Sequence, residues 1–145
     1  MSNDLKTLET LTDTAIDSAN GYEKASEVAK TPGLQNVLRE QATKRRALVE
    51  TLNGEIVRLG GSARTSGSAL GAAHQAWTSL TDAFSSGDES AAERVEEGED
   101  HIEKKFREAL EDSTLDVQTR EVLVRAHAEI AEGERLTDRL EAQYD

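Results

Sequence analysis

Apolar residues recur at spacings of three and four along most of this chain, as in helices that bury one face. Leu5, Leu8, Leu11, Ala15, Ala19 and Tyr22 trace a first helix from about Asp4 to Lys30. Thr31-Pro32 then reads as a start signal, because threonine caps and proline suits the first helical position. Leu34, Leu38, Ala42, Val49, Leu52, Ile56 and Leu59 form the stripe of a second helix over about 33–59. Gly60-Gly61 ends it, since glycine accepts the left-handed conformation past a helix C-terminus.

A loop over 62–68 leads to a shorter helix over about 68–86, with Leu70, Ala73, Trp77, Leu80 and Phe84 on one side. Gly87-Asp88 breaks it. Ala92, Val95, Ile102, Phe106 and Ala109 face inward on a helix over about 89–112. Val122, Ala126, Ile130, Leu140 and Tyr144 do so on a last helix over about 116–143. Four long helices and one short one are therefore predicted. The connections near Thr31 and Ser113 are too short for anything but antiparallel hairpins. The segment 61–87 is long enough to travel the length of a bundle. Two αα-hairpins joined by one long crossover give an all-α, ferritin-like four-helix bundle with a fifth helix in the crossover. The whole chain, 1–145, reads as one domain.

Composition agrees. Alanine and leucine fill the apolar quota, β-branched runs are missing and there is one proline. The chain has no cysteine, which excludes disulfides, thiolate metal sites and thiol nucleophiles. Neither a secretory leader nor an apolar run of about 20 residues is visible, so a cytoplasmic protein without a membrane partner is expected. The net charge is −12, and the surplus of negative residues lies beyond residue 88. A field of that sign repels nucleic acid. It would attract cations or a basic protein; a second copy of the chain is the other partner class expected.

Polar residues on inward stripes carry the candidate chemistry. Glu99 lies in the series Ala92, Val95, Glu99, Ile102, Phe106, at a core position. Gln41 and Arg45 interrupt the second helix's stripe between Leu38 and Val49. His127 and Glu134 share a face of the last helix. In a hairpin turning at 113, Glu99 faces about residue 127. A mid-bundle layer of Gln41, Arg45, Glu99 and His127 is thus predicted, with Asp17 or Glu23 from the flank of the first helix. A buried carboxylate must be paired, protonated or metal-bound. The first reading is a buried Arg45–Glu99 pair that fixes helix register, with no resident cofactor. The alternative is an iron or other divalent-metal site drawing on Glu99, His127, Glu134 and Glu23. Glu-x-x-His, the repeat of di-iron bundles, is absent before His74, His101 and His127. No nucleophile triad, phosphate loop or zinc motif is present, so the reading leans away from an enzyme. A third reading is a protein–protein module assembling through Trp77, Phe84 and His74.

Leu59-Gly60-Gly61, the run from Gly67 to Trp77, Glu96-Glu97-Gly98-Glu99-Asp100, and Gly21-Tyr22 with Ala25 together resemble a bacterial four-helix-bundle family of unknown function in the ferritin-like superfamily. The resemblance covers nearly the whole chain. It implies the ferritin-like fold and a family without a settled activity, suspected of binding metal. Glu99 and His74 match the family's suspected ligands. Ala19 stands where relatives carry a glutamate, and Glu134 where they carry a histidine.

Overall fold

A computed structural model describes residues 2–65 and 88–144, with side chains placed for residues 4–27, 29–65, 95–133 and 135. Four helices and no strand occur among the described residues: α1 (Ser2–Val28), α2 (Pro32–Arg58), α3 (Asp88–Leu110) and α4 (Val117–Tyr144). The fifth helix predicted over 68–86, with His74, Trp77 and Phe84, lies outside the described residues.

Each boundary has a local cause. Pro32 opens α2 behind Thr31, whose backbone is extended (φ −86°, ψ 124°). The Gln35 side-chain amide donates to the Ala29 carbonyl at 2.6 Å, holding the turn out of α1. At the end of α2, Gly60 takes φ 90°. The Gly61 N–H then reaches the Ile56 carbonyl, and the Gly60 N–H that of Val57. This double closure satisfies carbonyls that a helix end leaves orphaned. Arg64 ties the chain just past α2 to the bundle. Its backbone exchanges hydrogen bonds with the Asn53 side chain, and its guanidinium grips Asp13 with two bonds of 3.0 and 2.8 Å.

Between α3 and α4, the Arg120 guanidinium donates to the Leu110 and Asp112 carbonyls. Asp116 stands just ahead of α4, and its backbone carbonyl accepts from the Arg120 N–H at 2.8 Å. Its own N–H is bound by the buried Asp4 carboxylate at 2.8 Å.

α1 packs against α2 and α3, and α4 packs against α3 and α2. Helices α2 and α3 therefore face each other across the bundle axis. Asp4, Arg58 and Asp116 meet at one end, so α2 finishes where α4 begins. Glu99 lies level with Arg45, which makes α3 run the same way as α2. The chain thus leaves α2 at one end of the bundle and enters α3 at the other.

Two apolar clusters fill the core. Leu8, Leu11, Leu52, Ile56, Ile102, Phe106 and Leu123 pack at the end near the α3–α4 turn. Tyr22, Ala25, Leu34, Leu38, Ala42 and Val95 pack at the end near the α1–α2 turn. Between them the core turns polar.

Candidate functional site

Three helices contribute polar side chains to this level, and the fourth contributes a gap. On α2, heptad continuity from Leu38 to Leu52 carries Gln41 and Arg45 inward, and both are buried. On α3, the spacing from Val95 to Ile102 carries Glu99 inward, where it is 0% exposed. Arg45 Nη2 lies 3.0 Å from Glu99 Oε2 and 2.9 Å from Oε1. Because α2 and α3 are diagonal neighbours, this ion pair crosses the core.

Tyr22, fully buried on α1, lies beneath the arginine, whose guanidinium carbon is 5.8 Å from the ring centroid. That is cation–π range. The Tyr22 hydroxyl is buried close enough to Glu99 to feel its charge. Burial, and then the negative charge of Glu99, push the Tyr22 hydroxyl well above the ordinary phenol range. Burial alone would lower the Arg45 pKa, but the Glu99 carboxylate outweighs it and the guanidinium stays charged.

Gly133 closes the layer from α4. A Cβ there would stand 2.8 Å from Glu99 Oε2, 3.2 Å from Arg45 Nη2 and 3.5 Å from Gln41 Nε2. A glycine inside a helix costs about 1 kcal/mol relative to alanine. Its presence is explained by the room that the ion pair needs. Spacing alone did not place Gly133 or Tyr22 in the layer. An isolated glycine in the middle of the last helix is the signal that marks a close approach.

His127 is not part of this layer. Its Nε2 lies 2.8 Å from Glu103 Oε2, in a half-buried pair at the α3–α4 seam. The physical reason is register. A turn centred at 113 sets Glu99 opposite 127, but the hairpin turns about three residues later, and Glu99 faces Gly133. Glu23 lies on the surface, where it accepts from Arg46 at 2.8 Å. The Glu134 side chain lies outside the described residues. Glu96 Oε2, one turn before Glu99, is buried without a hydrogen-bond partner among the described residues. Among the described residues, no three histidine, aspartate or glutamate side chains converge in a way that could hold a metal ion.

A second polar cluster ties the far end. Buried Glu55 receives two hydrogen bonds from Arg58, at 2.9 and 2.6 Å, and one from the Thr119 hydroxyl at 2.8 Å. Arg58 first, and Thr119 with it, hold the Glu55 carboxyl below the usual range. Arg58 also lowers Asp116. His101, partly exposed on α3, is lowered by burial and by Lys105 and Lys104.

The arrangement defines a class: an antiparallel four-helix bundle with a buried Arg–Glu pair across its axis. Within that class, residues 3–112 match the family described as a domain of unknown function, DUF2383, and the chain belongs to it. The match ends at the α3–α4 turn, so Gly133 lies beyond it. No curated protein matches the chain. No described helix is long and apolar enough to cross a membrane.

Proposed function

We propose that this chain is a non-enzymatic, single-domain, ferritin-like bundle whose polar layer fixes helix register. The observation that carries the reading is the diagonal pair of Arg45 and Glu99, with both carboxylate oxygens within 3.0 Å of one guanidinium nitrogen. A carboxylate so engaged is not a free metal ligand, and a fixed cation at that distance repels a dication. What the pair does supply is alignment. Any slip of α2 against α3 would strand one buried charge, so the wrong registers are penalised more than the right one is stabilised.

The ferritin-like fold brings with it the expectation of iron or another divalent metal. The described donors do not fit one: Glu99 is held by Arg45, His127 by Glu103, and Glu23 faces solvent beside Arg46. The surplus of acidic side chains beyond residue 88 supports a basic protein as partner, rather than nucleic acid. We assign the chain to the cytoplasm with a stress-related role; the absence of cysteine supports the compartment alone.

Anaerobic calorimetric titration of metal-free protein with ferrous iron tests this reading. Only weak, non-saturating heat is expected. Saturable binding with a Kd of about 1 μM, lost on Glu99→Gln, would overturn it.

A further inference from the structure

Glu121, Arg125, Ala128, Glu132 and Arg135 recur along α4 at spacings of four and three, so they line one face of that helix. All five are exposed. Val117 and Val124, each one turn ahead of a member of this row, are 74% and 50% exposed. They are two of the three large apolar side chains left exposed among the described residues. The row itself is neutral, two glutamates against two arginines, on a chain whose net charge is −12. Repulsion between copies of the chain is therefore weakest at this face. A partner of a single charge sign finds no matching field there.

The order of the charges selects the occupant. An isologous contact sets one surface against itself about a two-fold axis. With that axis at Ala128 and the two helices antiparallel, Glu121, seven residues before it, meets Arg135 of the second copy, seven residues after it. Arg125, three before, stands beside Glu132, four after. Val124 and Ala131 are related in the same way, so an apolar side chain covers the exposed valine. Ala128 faces its own copy, and its single methyl lets the two helices approach closely. Parallel pairing would instead set each charge against its like.

We propose that this face of α4 joins two copies of the chain in an antiparallel, two-fold dimer. Each ion pair then occurs twice across the axis. A single helix-on-helix contact falls short of the roughly 1,200 Å² that stable interfaces bury, so the dimer is transient, with a Kd of about 100 μM. The inference goes beyond the register role of Arg45 and Glu99, which act in the core and leave this outer face untouched.

The test is sedimentation equilibrium of the full chain between about 10 μM and about 1 mM, on either side of that Kd. The average mass is expected to rise from monomer toward dimer across the range. Glu121→Arg makes the chain less negative, which by net charge alone would favour association. It also sets an arginine against Arg135 of the second copy, and the dimer is expected to weaken at least about tenfold. Arg135→Glu should do the same. The double variant Glu121→Arg/Arg135→Glu restores opposite charges and should recover the affinity to within about threefold. Both side chains are exposed, so the three variants should keep the melting temperature of the parent chain. A mass that stays monomeric at every concentration would overturn the proposal. So would Glu121→Arg associating as tightly as the parent chain, or a double variant no tighter than the single ones.

Discussion

Replacing Glu99 by glutamine would remove the charge that Arg45 faces while keeping nearly the same shape. Arg45 is 4% exposed and Glu99 0%, so solvent cannot take over from the lost carboxylate. One partner of a buried pair removed in this way typically costs about 3–5 kcal/mol, because the other charge remains buried without its counterion. Glutamine keeps one acceptor oxygen for Nη2, which places the expected loss near the lower figure, about 3 kcal/mol. At about 2–4 °C per kcal/mol for a chain of this size, the melting temperature should fall by about 6–12 °C. Arg45→Met strands Glu99 instead and should cost a similar amount. The double variant Arg45→Met/Glu99→Leu removes both charges and should recover most of the loss, since a well-packed apolar replacement is often neutral or better. Urea denaturation of the four proteins closes the cycle. The expected coupling is a few kcal/mol, at least about 2. Single losses below about 1 kcal/mol, or a double variant equal to the sum of the singles, would refute a buried, mutually dependent pair.

The same logic separates two glycines. Gly133→Ala should destabilise by about 1–2 kcal/mol, because the clash with Glu99 and Arg45 outweighs the gain in helix propensity. Gly54→Ala, where a Cβ meets nothing within 4 Å, should stabilise by about 0.5–1 kcal/mol. Matching signs in thermal unfolding would contradict the crowding at Gly133. The far cluster predicts an acid dependence. Glu55 and Asp116 titrate below their unfolded values when folded, so their contribution is present above about pH 4.5 and lost as pH falls through the folded values. Arg58→Met should therefore flatten the fall of stability between about pH 4.5 and 2. An unchanged slope in urea midpoints over that range would show that Arg58 does not hold these carboxylates.

Much of the architecture is written in short-range signals. Pro32 and Gly60 fix helix ends through backbone constraints that need no distant partner, and the three-and-four spacing of Leu34, Leu38, Leu52 and Ile56 is enough to choose the buried face. That same periodicity sets Gln41, Arg45 and Glu99 on inward stripes. The spacing does not say which residues meet. An error of three residues in the centre of the α3–α4 turn moves the residue opposite Glu99 by six, from His127 to Gly133. At 1.5 Å per residue that is about 9 Å, or more than one full turn of helix. Where the hairpin turns depends on side chains reaching across it. Arg120 holds the carbonyls at the end of α3, and Asp4 on α1 fixes the Asp116 N–H at the start of α4. The sequence by itself thus determined helices, their buried faces and the presence of charge in the core. Only the tertiary structure decided the levels at which those helices meet. It thereby joined Arg45 to Glu99 over Tyr22, sent His127 to Glu103 and left a glycine where the ion pair needed space, because inter-helix register is a property of distant contacts and not of helical period.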